Sequence, residues 1–130
     1  PMIYSSQEIG YIEKINFFNY KILSFVKAAG TQIETRNAYA TLLKAYQDTR
    51  DIRKGTKSAG AMDDKVPYVE YTQGESRLLV ICNHQNSAQI VTLPAAYQAA
   101  KVKDMKTGQE VTLASNLNLT AYEYRIFRKD

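Results

Sequence analysis

The feature that most constrains this chain is a change of hydrophobic period near residue 55. Before that point apolar residues recur every three or four positions. After it they fall into short runs with a period of two, separated by turn residues. A 3.6-residue period buries one stripe of a helix, whereas a period of two buries one face of a strand. Residues 1–55 are therefore expected to form a strand, a loop or helix, and a final helix, and residues 56–130 a β domain.

Within the first part, Pro1-Met2-Ile3-Tyr4-Ser5-Ser6-Gln7-Glu8 begins apolar and ends polar. An apolar run without alternation suits a strand buried on both faces, as in a parallel barrel. Tyr11, Ile15, Phe18, Ile22, Phe25 and Ala29 repeat at helical spacing and predict a helix ending before Gly30. Against it stand the modest helix propensities of Phe, Tyr and Ile and the lack of a good cap. A clearer helix is expected over about residues 36–53, capped by Thr35, with Tyr39, Leu42, Leu43, Tyr46 and Arg50 along one face. Arg50, Arg53 and Lys54 suit the negative end of its dipole, and Gly55 is a natural stop.

In the second part, strands are expected at Val66–Thr72, Arg77–Asn83, Ala88–Leu93, Ala100–Met105, Gln109–Leu113, Leu117–Leu119 and Tyr122–Arg128. Turns fall at Gln73-Gly74-Glu75, His84-Gln85-Asn86 and Lys106-Thr107-Gly108. The Arg77–Asn83 run is apolar on both faces, Leu78, Val80 and Cys82 on one and Leu79 and Ile81 on the other, so it must be covered on both sides. In the last strand, Tyr122, Tyr124 and Ile126 are expected inward, and Val80, Cys82, Tyr124 and Ile126 in the core. The segment Lys57–Lys65 is expected to be a mobile loop. Strands at this spacing with no helices between them predict an antiparallel, Greek-key-like β-sandwich.

Hydrophobic residues at 45% and charged residues at 23% are the balance of a globular protein. The net charge of +4 is spread among interspersed acids (Arg50-Asp51, Lys103-Asp104), so no nucleic-acid partner is expected, and no apolar run approaches the length of a membrane span. The single Cys82 cannot form an internal disulfide. One Cys and one His, Cys82 and His84, cannot complete a four-ligand zinc site, and Asp63-Asp64 reads as a solvated loop. With no initiator Met and no signal-peptide pattern, the first residues read as the inside of something longer, so a fragment is expected.

Several stretches taken together resemble one family. Pro1-Met2-Ile3-Tyr4-Ser5-Ser6-Gln7-Glu8-Ile9-Gly10 resembles the eighth barrel strand and following turn of bacterial α-amylase-type glycoside hydrolases, with Ser6 where a Gly is usual. Ile15-Asn16-Phe17-Phe18 resembles the loop that follows, and residues 37–55 the last barrel helix. Ser76 to Asn83 resembles the central strand of the family's C-terminal sandwich, Lys103 to Gly108 its Asp-containing hairpin, and Tyr122 to Phe127 its closing strand.

The resemblance implies an amylase-type C-terminal β-sandwich (56–130) preceded by a remnant of a (β/α)8 barrel (1–55). The family cleaves α-glucosidic bonds of starch or maltodextrin with retention, using acids that lie upstream of Pro1, so this chain alone is expected to be inactive. The calcium possible in the parent enzyme would likewise be held mainly by upstream residues, and no cofactor is expected in this fragment. Tyr4, Gln7 and Glu8 would line the sugar cleft only in a whole barrel. The expected partners are the upstream catalytic barrel, the parent's α-glucan substrate and, for the isolated fragment, a second copy in a homodimer. A parent that is secreted, periplasmic or on the cell surface fits this chemistry. Ten tyrosines leave open a second role, starch binding through exposed rings, although Trp is absent.

Overall fold

The structure is a computed structural model that describes Gln7, Gly10 and residues 30–130. The expected strand over residues 1–8 and the helix over 9–29 lie outside the described residues, apart from Gln7. The chain divides into two compact units, Pro1–Lys44 and Ala45–Asp130, so the last turn of the helix belongs with the strands.

Helix α1 spans Thr31–Asp48 rather than residues 36–53. The carbonyl of Gly30 accepts the N–H groups of Ile33 and Glu34 at 3.0 and 3.2 Å, which starts the helix earlier than Thr35 could. It stops at Asp48 because side chains take its last carbonyls. Thr49 Oγ1 donates to Ala45 O at 2.7 Å, Arg53 to Tyr46 O at 2.5 Å and Arg128 to Asp48 O at 2.8 Å. The basic residues expected at its end lie in the following turn and in the 3-10 turn Ile52–Lys54. Gly55 closes that 3-10 turn rather than the helix, donating to Ile52 O at 3.0 Å.

Eight antiparallel strands follow among the described residues: β1 (Thr56–Met62), β2 (Val66–Gln73), β3 (Ser76–Cys82), β4 (Gln89–Thr92), β5 (Lys101–Asp104), β6 (Glu110–Thr112), β7 (Asn116–Leu119) and β8 (Tyr124–Lys129). The seven expected strands are all present, with ends shifted by one or two residues. The eighth, β1, occupies most of the segment expected to be a mobile loop. Its small residues carry no strand signal of their own, and pairing with β2 from Thr56↔Thr72 to Met62↔Val66 makes it.

Six strands form one sheet in the order β1-β2-β3-β8-β5-β6, and β4 and β7 form a second. The chain crosses between the sheets at β3–β4, β4–β5, β6–β7 and β7–β8, as a Greek-key sandwich does. Gly74, at φ +61°, takes the first central position of the two-residue β2–β3 turn, a conformation that suits glycine.

Both faces of the large sheet are covered, as the β3 sequence requires. One face buries Leu79, Ile81 and Phe127 against Val91 and Leu119 of the small sheet, with Tyr97 at 0% exposure filling the space beside them. The opposite face carries Leu78 and Ile126, packed on Ala45 and Ile52, with Val80 and Tyr124 only half-buried around them. The expected core set therefore needs correction. Val80, Tyr124 and Ile126 belong to the cluster under the end of α1, Cys82 is half-buried, and the sandwich interior uses the opposite parity. Tyr122 is not inward at all: it is 67% exposed, at φ +58° in the turn before β8.

Candidate functional site

Of the three residues expected to line a sugar cleft, Tyr4 and Glu8 lie outside the described residues. Gln7 is exposed, and its carbonyl accepts the Gly10 N–H at 3.0 Å. Among the described residues, no three His, Cys, Asp or Glu side chains are grouped so as to hold a metal ion. No helix among them is long and apolar enough to cross a membrane. Cys82 is half-buried and burial pushes its thiol pKa up, which makes it a poor nucleophile, while His84 is exposed on the next loop. Asp63 and Asp64, both at positive φ, form the β1–β2 turn, and Asp63 Oδ2 accepts the Thr92 N–H at 2.9 Å across to the small sheet.

The polar groups that the fold does assemble sit at the ends of the sandwich. Asn83, 0% exposed at the end of β3, is the most completely satisfied. Its Nδ2 donates to the carbonyls of Ser87 and Thr120, both at 2.8 Å, and its Oδ1 accepts the Gln85 N–H at 3.0 Å. Its own N–H donates to Glu123 O at 2.8 Å. One side chain thus closes the loop after β3 and ties it to the turn before β8, which explains physically why an apolar strand ends in Asn.

Two carboxylates, Asp104 and Glu123, share the Arg125 guanidinium, with N···O distances of 3.4 and 2.7 Å. The shorter contact is an ion pair without hydrogen-bond alignment, since Arg125 Nε has no aligned acceptor. Asp104 is 3% exposed and its Oδ1 accepts the Lys106 N–H at 2.8 Å, which shapes the hairpin that Gly108 completes. Burial alone would push the Glu123 carboxyl up. The Thr120 N–H and hydroxyl, with Arg125 and Lys106 nearby, outweigh burial and hold it below the ordinary carboxylate range. A glycosidase general acid needs the reverse, a carboxyl kept protonated near neutrality. This pair is built to brace a turn.

At the other end, Tyr97 donates its hydroxyl to Glu70 Oε1 at 3.0 Å, and Arg77 pairs with the same oxygen at 3.1 Å. Burial and the Glu70 charge hold the Tyr97 hydroxyl well above its usual pKa, so it stays a neutral donor. Arg128 on β8 binds Asp51 through both terminal nitrogens, at 3.3 and 3.0 Å, besides taking the Asp48 carbonyl. Among the described tyrosines only Tyr46 and Tyr122 are exposed, and the Arg53 guanidinium covers the Tyr46 ring at 3.4 Å.

Several contacts in these networks join residues more than 20 positions apart, as in Tyr97–Glu70 or Arg128–Asp51, and such pairs leave no local pattern in the sequence. Only Asn83 and the Asp104–Gly108 hairpin had a sequence signal, as the end of an apolar run and a turn.

No known family's profile matches the sequence, and no curated protein matches it. Solved structures do. The α-amylase of Geobacillus thermoleovorans, determined with acarbose, superposes with a TM-score of 0.72 over 96% of this chain at 14% identity. A variant of AmyP in complex with maltotriose gives 0.69 over 94% at 12% identity. The fold is that of α-amylase structures. Isomaltulose synthase from Klebsiella sp. LX3 carries it too, at 0.58 over 72% of this chain and 20% identity. The chain spans less than a third of the amylase structures it matches, 28% of the Geobacillus enzyme and 30% of AmyP. At these identities the likeness to the amylases is one of fold.

Proposed function

We propose that this chain is the C-terminal portion of an α-amylase-type glycoside hydrolase acting on α-glucans, and that its sandwich stabilises a catalytic barrel rather than doing chemistry. The observation that carries this reading is the match to amylase structures over nearly the whole chain but under a third of theirs. The chemistry of the polar groups supports it. Glu70, Asp104, Glu123 and Asp51 are each paired with an arginine, an arrangement that suits carboxylates bracing the fold rather than a proton donor and a nucleophile facing a substrate. The exposed Ile33, Leu42 and Leu43 of α1 suit a helix that the rest of a barrel covers. On this reading residues 1–55 are the end of the barrel and 56–130 the sandwich. Reading the coding sequence upstream of Pro1 tests it: barrel strands bearing one Glu and two Asp at their C-terminal ends are expected, and an unrelated upstream sequence would refute it.

A second role, starch binding, rests on Tyr122. Its ring is 67% exposed, and its backbone is held at a positive φ that bulky residues rarely adopt. Sedimentation with insoluble starch tests this: retention lost on Tyr122→Ala would support binding, and no retention would leave the structural role alone.

A further inference from the structure

An open sheet of six strands has two edges, and here they are built differently. At one edge β6 is three residues long and carries Glu110, the short, charged form that keeps an edge from pairing. At the other, β1 runs for seven residues, of which all but Met62 are exposed. It has no proline, its only charge is Lys57, and among the described residues no strand pairs with its outer side. In an antiparallel ladder alternate residues direct N–H and C=O to the same side. Half of β1 is thus spent on β2, and the other half presents unused donors and acceptors outward.

We propose that this edge is an interface for a second copy of the chain, the two β1 strands pairing antiparallel about a two-fold axis at Ala59. The strand is compatible with itself in that register. Ser58 faces the partner's Gly60, Lys57 the partner's Ala61 and Thr56 the partner's Met62, so no charge meets its like. The two Lys57 side chains are then about 14 Å apart along the ladder, beyond the ~8 Å screening length at physiological salt. Small side chains at Ser58, Ala59 and Ala61 place no bulk in the way. Gly60 is stiffened from its own sheet by the Tyr68 ring, which comes within 3.1 Å of where a Cβ would stand. An isologous pairing of this kind closes after two copies and hides both long edges together.

Ala59 lies on the axis, opposite its own copy. Ala59→Lys and Ala59→Glu set like charges face to face in the dimer while altering only an exposed side chain in the monomer. Sedimentation equilibrium on the full 130-residue chain is expected to show a concentration-dependent dimer. Each variant should associate about two- to fivefold more weakly, and a one-to-one mixture of the two should regain the dimer. Ala61→Glu, placed opposite the partner's Lys57, should tighten association, a gain that misfolding cannot imitate. A parent chain monomeric up to about 100 μM, where a dissociation constant near 0.1 mM would show, overturns the proposal. So does a dimer indifferent to all three substitutions, which places the contact elsewhere, or a charge mixture that stays monomeric.

Discussion

Removing the Asn83 side chain tests the packing account most sharply, because one small residue joins two segments far apart in sequence. In Asn83→Ala the carbonyls of Ser87 and Thr120 lose donors at 2.8 Å and the Gln85 N–H loses an acceptor at 3.0 Å, around a site with 0% exposure. An unmet buried partner costs about 1–3 kcal/mol, but Ser87 and Thr120 are exposed and can recover part of this from water. The expected loss is therefore about 2–4 kcal/mol, or roughly 10–25 °C in melting temperature for a domain of this size. Asn83→Asp separates hydrogen bonding from volume. Its carboxylate would face two carbonyls it cannot donate to, so its folded pKa must rise. At neutral pH it should be worse than the alanine variant, and its deficit should shrink as pH falls through the raised pKa. Urea and thermal unfolding followed by circular dichroism read both effects. Alanine and aspartate variants melting within about 3 °C of the parent at pH 7 would refute the reasoning.

Three further expectations come from the same geometry. Leu79→Ala, in the sandwich interior, should cost about 2–5 kcal/mol and clearly more than Val80→Ala on the half-buried face; equal losses would mean the two faces are misassigned. Gly55→Ala would put a Cβ 2.0 Å from the Thr72 carbonyl oxygen and should destabilise by about 2–3 kcal/mol, whereas an unchanged urea midpoint would contradict that approach. The folded pKa of Glu123 is depressed, so its contribution is present above the unfolded value of about 4.3 and lost as pH falls through the folded one. The stability gap between the parent and Glu123→Gln should therefore narrow as pH falls below that unfolded value, and a gap that stays constant as the solution is acidified would count against it.

The strands were legible because each local signal agreed with its neighbours: Gly74 and Gly108 at turns, alternation within runs, and a two-faced β3 that demanded cover on both sides. Facing was not. In β8, Ile126 and Phe127 are adjacent and both buried, so apolar alternation could not say which of them points into the sandwich. Tyr122 looked like the first inward residue, but its left-handed backbone takes it out of the strand. β1 was missed because Ser58-Ala59-Gly60-Ala61 has low strand propensity and is a strand only through β2. The end of α1 was misplaced because Arg128, 80 residues away, takes the Asp48 carbonyl. The amylase resemblance carried the fold correctly, while Tyr4 and Glu8 lie outside the described residues and Gln7 is an exposed turn residue.

Reducing-sugar release from soluble starch distinguishes a non-catalytic sandwich serving an upstream barrel from a chain with activity of its own. The 130-residue chain and the reading frame extended upstream of Pro1 should be assayed side by side at equal molarity. The extended protein should release sugar, and the chain alone none above buffer. Release by the isolated chain that co-purifies with it through two orthogonal columns would mean that the sandwich is not merely a support for a barrel.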